Sequence, residues 1–191
     1  GYKQEIDFTV EHPGFDISNP YGDIKVVLMQ NNRWDNAITG LKPLFVKDHL
    51  LVYDYSEEST FDGNNEYRYF DAKSLRYKTE QIKSIIYDSV CYHFYLNTDL
   101  MRTYSTFSIA DDIDGKFLIK NDDANDKAIE SDYIMVHFSL STKSFIGGGN
   151  FYVFGDLSNN QCLPEFKMEY NSKTNLYEKE ILLKQGYYNY V

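Results

Sequence analysis

Tyr133-Ile134-Met135-Val136-His137-Phe138-Ser139-Leu140 decides the fold class. Ile134, Val136, Phe138 and Leu140 fall on one side of an extended chain; Tyr133, Met135 and His137 fall on the other. A period of two is that of a strand with two unlike faces. Downstream, Phe151-Tyr152-Val153-Phe154-Gly155-Asp156 reads as a second strand ending in a turn. Phe166, Met168 and Tyr170 alternate with Lys167 and Glu169. Asn171 to Asn175 is polar turn chemistry, and Leu176–Leu183 returns as the next strand. Gly186 then breaks the ladder before Tyr188 and Tyr190. Short strands separated by turns suit an immunoglobulin-like sandwich better than any helical arrangement.

The remainder of the chain reads the same way. Lys3–Val10 alternates Ile6, Phe8 and Val10 with charged residues and ends at His12-Pro13-Gly14. Asn19 to Asp23 is a turn. Ile24–Gln30 is a strand with a continuous apolar middle, and Leu41–Tyr55 supplies one long strand or two short ones. Glu66–Ala72 alternates, and Ile82–Tyr87 pairs with Val90–Leu96 around Asp88-Ser89. Thr98–Tyr104 is the one segment that suits a helical turn, with Asn97 or Thr98 as its cap. Asp111–Glu130 holds seven acids against three lysines and reads as an acidic linker, in which only Phe117-Leu118-Ile119 suits a strand. The expectation is an all-β protein of two tandem antiparallel β-sandwich domains, 1–123 and 131–191, the second of the E-set type and truncated at its C-terminus. Gly1, and a chain that stops inside a hairpin at Val191, read as the ends of a segment cut from a longer protein.

The net charge of −10 is unevenly spread. Residues 1–130 hold 14 Lys and Arg against 23 Asp and Glu, and residues 131–191 hold five against six. An acidic body argues against nucleic-acid phosphates and against anionic membrane surfaces. No apolar run is long enough to span a bilayer. The 18 tyrosines suit half-buried strands whose ring packs while the hydroxyl stays wet, and they also suit a binding surface.

No catalytic constellation, cofactor cradle or metal set emerges from the spacing. Cys91 and Cys162 have no zinc-like neighbour spacing and read as two unpaired thiols, one in each domain. Cys91 points to the face opposite Tyr92, Phe94 and Leu96. His12, His49, His93 and His137 are scattered. Asp112-x-Asp114-Gly115 has part of a calcium loop, but Ala110 stands where an oxygen ligand is needed and Asn121 where an acid is needed, so it reads as a turn. Gly147-Gly148-Gly149 has no following helix to make a phosphate cradle. The loops carry the binding candidates. Arg33, Trp34 and Asp35 place an indole beside a guanidinium, either as a partner-binding anchor or as a pin for their own loop. Asn64 and Asn65 follow Gly63 at a tip that can present bare backbone. Arg68, with Asp71 and Arg76, forms either a charged network or a solvated strand face.

Several blocks resemble a known family. Gln30-Asn31-Asn32-Arg33-Trp34-Asp35-Asn36-Ala37, Leu41-Lys42-Pro43-Leu44-Phe45, Gly63-Asn64-Asn65-Glu66-Tyr67-Arg68-Tyr69-Phe70-Asp71 and Leu183-Lys184-Gln185-Gly186-Tyr187-Tyr188-Asn189-Tyr190 are similar to those of the type 9 secretion system plug proteins. The resemblance runs through nearly the whole chain. It implies a periplasmic, non-enzymatic, monomeric protein that docks on an outer-membrane β-barrel translocon and closes its periplasmic mouth, without cofactor or metal. The second domain also resembles the immunoglobulin-like glycogen-binding modules, through Phe154-Gly155-Asp156, Met168 and the Gly186–Tyr190 hairpin. That implies a carbohydrate-binding module as the alternative. Leu157 to Gln161 departs from it, having no aromatic where the module stacks a Trp on sugar.

Overall fold

The structure, a computed structural model, describes residues 3–63, 67–102, 113–124, 129–142 and 145–191. The chain divides into two compact units, Gly1–Asn64 and Asn65–Val191.

The first unit carries β1 (Lys3–Glu5), β2 (Phe8–Glu11), β3 (Val27–Leu28), β4 (Ile38–Thr39), β5 (Phe45–Lys47), β6 (Leu50–Tyr53) and β7 (Thr60–Asp62). They pair antiparallel as β1–β7, β3–β4 and β2–β6–β5. Alternation in β6 turns Leu51 and Tyr53 inward to full burial beside Leu41, and Phe8 stacks on Tyr53 with ring centroids 4.5 Å apart. Ile24, Val26 and Leu28 pack on this small core, but only Val27–Leu28 of the expected 24–30 strand has a ladder partner. The Asn19–Asp23 turn is one helical turn, α1 (Pro20–Asp23). Pro20 is preset for its first position, and the Asn19 side chain accepts the Gly22 amide.

The second unit is a sandwich. Its strands are β8 (Arg68–Asp71), β9 (Ile82–Tyr87), β10 (Tyr92–Leu96), β11 (Asp99–Leu100), β12 (Phe117–Ile119), β13 (Tyr133–Ser141), β14 (Glu169–Asn171), β15 (Leu176–Lys184) and β16 (Gly186–Tyr190). One sheet runs β14–β15–β13–β10–β9 with β11 on β13; the other runs β12–β16–β8. Ile134, Val136 and Phe138 of β13 and Phe94 and Leu96 of β10 face Phe70, Tyr188 and Tyr190 of the smaller sheet. Phe70 stacks on Tyr188 at 5.1 Å, and its edge meets Phe138 at 5.7 Å. Each such side chain taken fully from water contributes ~1.5–3 kcal/mol.

Four expectations are corrected. The domain boundary at 123–131 is crossed by both sheets: β12, inside the stretch read as linker, pairs with β16, and β10 pairs with β13. Strands 133–141 and 186–190 bury both edges and need neighbours for their backbone groups, which residues 65–123 supply. The sheets are not wholly antiparallel. β13 runs parallel to β10 and β11, because the intervening chain leaves for the opposite sheet as β12 before it returns. In place of the helical turn expected at 98–104, Asp99 and Leu100 form β11 and 98, 101 and 102 are irregular; residues 103–104 lie outside the described residues. Phe151–Asp156 is not a ladder strand. It makes a single bridge, Tyr152 to Lys167, and Asp156–Ser158 closes into a 3-10 turn. Its amides donate to the Phe166, Val191 and Gly115 carbonyls and to the Ser158 hydroxyl oxygen.

Two outcomes follow for the sandwich. Val136→Asp places an unpaired charge in a fully buried site and should unfold the second unit, since several kcal/mol is on the order of a domain's whole stability. A variant that still melts cooperatively by circular dichroism would show the strand faces reversed. The second outcome is an alkaline limit. Burial pushes the Tyr188 and Tyr190 phenols above the ordinary tyrosine range, Tyr190 further through Asp99. A raised folded pKa means that their contribution is complete below pH ~10 and is lost as pH rises beyond it. Tyrosinate absorbance from Tyr188 and Tyr190 should therefore appear together with loss of the β signal in an alkaline titration, and both should shift in Tyr188→Phe.

Candidate functional site

Residues 30–36 form a braced loop. Gln30 is buried; its amide nitrogen donates to the Gln4 side chain and to the Asp62 carbonyl, and its amide oxygen accepts from Asn36. Asn31 and Asn32 adopt positive φ of 53° and 60°, which asparagine tolerates. Arg33 forks onto Asp35 through Nε to Oδ1 at 3.0 Å and Nη2 to Oδ2 at 2.7 Å. That guanidinium holds the Asp35 carboxyl below the usual carboxylate range. The pair ties the loop across Trp34 and leaves the indole 70% exposed. Of the two readings of Trp34, this exposure favours the anchor over the pin. Val27 and Met29, leading into the loop, are exposed as well.

The other candidates separate. Asn64 and Asn65 lie outside the described residues, as does Asp112 of the short acidic motif. Asp114 and Gly115 do form a turn, held by the Asn189 side chain, whose oxygen accepts the Ile113 amide at 2.7 Å. Arg68 is not a surface contact. Its Nε donates to Asp99 at 2.8 Å and its Nη2 to the Leu100 carbonyl at 2.6 Å, while the Tyr190 hydroxyl donates to the second Asp99 oxygen at 2.9 Å. Nor do Arg68, Asp71 and Arg76 make one network. Asp71 pairs with Lys73, and Arg76 reaches towards Asp123 from solvent.

The outward face of the large sheet brings together residues that looked scattered. His93 on β10 and His137 on β13 are 44 residues apart, but the parallel register sets their Nδ1 and Nε2 atoms 2.8 Å from each other. His93 Nε2 lies 3.0 Å from Asp88 Oδ2 and 3.6 Å from Cys91 Sγ, and His137 Nδ1 lies 3.3 Å from Glu180 Oε1. Tyr95 stacks on His137 with centroids 4.0 Å apart. A shallow groove of about 360 Å³ opens beside His137, with Lys83, Tyr95, Glu178 and Glu180 in its lining. Asp88 sits at the β9–β10 turn, where its Oδ1 accepts the Val90 and Cys91 amides, each at 2.9 Å. Those two bonds, with His93, draw its carboxyl down to about 2.

The chemistry of this chain is set by its protons. Asp88, His93, His137 and Glu180 make three contacts in line, with a carboxylate at each end that only accepts. Each contact needs one N–H, three in all, whereas two neutral imidazoles carry two. Burial holds His137 below the ordinary histidine range against the pull of Glu180, which disfavours the third proton. The Cys91 thiol and Asp88 share one ring nitrogen of His93. That is unlike a nucleophile and its base, in which the acid orients the base through the other nitrogen. Cys91 is half-buried and Cys162 exposed, and both are free thiols. The one clue in the sequence was Cys91-x-His93, which a strand puts on one face; the joining of His93 to His137 depends on a register that no local signal carries.

A crystal structure of a hypothetical protein from Parabacteroides merdae is similar to this chain with a TM-score of 0.92 and 36% identity; the match covers all of this chain and 48% of that one. The chain thus spans about half the length of that protein. No family model and no curated protein matches. Among the described residues, no helix is long and apolar enough to cross a membrane.

The Arg68 network has a direct test. Burial pushes the Asp99 carboxyl up, and Arg68 is its close cationic partner. Arg68→Ala should cost roughly 1–3 kcal/mol, because it strands a half-buried carboxylate. Asp99→Asn in the same chain should recover part of that loss. Equal melting of Arg68→Ala and the parent would return Arg68 to the surface.

Proposed function

We propose that this chain is a non-enzymatic protein-binding module that docks from the periplasm on the mouth of an outer-membrane protein-secretion translocon, as in the type 9 secretion plug family it resembles. The observation that supports the reading is Trp34: an exposed indole on a loop whose flanking charges are already paired and whose ends are tied by the Arg33 and Ala37 amides. An anchor of this kind loses little freedom on binding, because the loop is ordered beforehand. Trp and Arg are the residues that dominate such contacts, and a plug that must leave for cargo suits a few anchors with a polar rim. Exposed Val27 and Met29 extend the apolar character of the same unit. Residues 30–36 are also among the blocks on which the family resemblance rests.

The carbohydrate reading has less behind it. In the turn after Gly155, Leu157 is half-buried against the core and Ser158 is fully buried. No ring stands there for a sugar to stack on, and the turn is filled by its own packing.

Trp34→Ala should weaken capture of the translocon barrel from detergent-solubilised outer membranes by about 30-fold, the equivalent of ~2 kcal/mol at a hot spot. Its melting temperature should stay at the parent value, since the indole is not packed. Recovery of polysaccharide without a barrel protein would overturn the reading. A Trp34→Ala variant that binds like the parent would remove the loop as its anchor.

A further inference from the structure

We propose that the β9–β10 hairpin is a zinc site, with Asp88 Oδ2, Cys91 Sγ and His93 Nε2 as three ligands and an open fourth position. Asp88, Cys91 and His93 each bring a ligand atom within 4.8 Å of the other two. Tetrahedral zinc, with bonds of ~2.0 Å to nitrogen and oxygen and ~2.3 Å to sulfur, sets its ligand atoms roughly 3.3–3.6 Å apart. The Cys91–His93 separation is 3.6 Å and the Asp88–His93 separation is 3.0 Å, so the ion enters with shifts of a few tenths of an ångström at a turn.

Orientation comes from the surroundings. The Val90 and Cys91 amides occupy Asp88 Oδ1 and leave Oδ2 aimed at His93. His137 holds His93 Nδ1, and Glu180 holds His137 in turn, so Nε2 faces the two other ligands. A carboxylate behind a ligating imidazole is the arrangement that fixes its ring and raises its basicity. If His93 and His137 both donate towards Glu180, Nε2 presents a lone pair to a carboxylate and a thiol. A cation there takes the Nε2 lone pair, the Asp88 oxygen and the Cys91 sulfur as ligands. Thiolate, imidazole and carboxylate together favour zinc over magnesium or calcium, which take oxygen alone. Binding displaces the thiol proton to solvent, so one S–H bond is exchanged for one S–Zn bond. The ligands are spaced by three and by two residues along a single hairpin, and no other element is needed to complete the chelate.

The test uses the whole chain, stripped of metal, titrated with Co2+ as a coloured probe and then displaced by Zn2+. We expect one equivalent of Co2+ to give the sulfur-to-cobalt charge-transfer band of a thiolate ligand. That band should persist in Cys162→Ser and vanish in Cys91→Ser. Asp88→Asn, at an exposed position, should weaken Zn2+ at least tenfold. His137→Gln, a positioning change, should weaken it about tenfold while keeping the band. Circular dichroism of each variant identifies any that fails to fold; Asp88→Asn then stands in for Cys91→Ser. A band that survives Cys91→Ser in a folded protein, or no saturable spectrum at any excess of Co2+, would overturn the site.

Discussion

The sandwich depends on one step of the chain, from Lys184 to Gly186. β15 belongs to the large sheet and β16 to the small one, and Gln185 alone lies between them. A strand that changes sheets in one residue has to satisfy its backbone at the corner and let the other sheet approach. Gln185 does the first. Its side chain is fully buried; its oxygen accepts the Asp132 amide, and its own backbone amide donates to the Asp132 carbonyl. Gly186 does the second, for a Cβ there would collide with the Leu118 carbonyl of β12. Three residues on, buried Asn189 holds the 113–115 turn with its side-chain oxygen. These two amides cost desolvation that only complete hydrogen bonding offsets, so they tolerate one register of β16 between β8 and β12.

That corner explains what was legible in the sequence. β13, the β9–β10 hairpin and the β14–β15 hairpin were readable because alternation and turn chemistry are local. β12 was readable as Phe117-Leu118-Ile119, with the bounds it has in the structure. What was lost was partnership. Acidic residues around β12 suggested a linker, because composition does not reveal that β16 needs a second edge partner. The parallel pairing of β10 with β13 was hidden for the same reason, and with it the meeting of His93 and His137. Phe151–Asp156 misled in the opposite sense: its apolar pattern is real, but Val153 packs into the core as part of a connection rather than a ladder.

Candidate residues were sorted by what surrounds them, not by their type. Arg33 and Arg68 are both arginines paired with an aspartate. The Arg33 pair lies within its own loop and stiffens it; the Arg68 pair joins β8 to the half-buried Asp99 of β11 and is completed by Tyr190. The first leaves a neighbouring indole free to meet a partner. The second has no surface to offer. From sequence the two look alike, since each stands in a polar loop or alternating strand beside aromatic residues.

The proposed docking loop and the proposed zinc site draw on different parts of the chain. Residues 30–36 belong to the first compact unit, and Asp88, Cys91, His93, His137 and Glu180 to the second. Within the second unit, the inward side of β13 is committed to the core through Ile134, Val136 and Phe138, whereas its outward side carries His137 among groups that a core would exclude. A strand spends one face on stability and keeps the other for chemistry. The alternation that made Tyr133–Leu140 readable as a strand is therefore also what delivers His137 to His93. The sandwich acts as the rigid support, and the turn at Asp88–Cys91 is the part able to close around an ion.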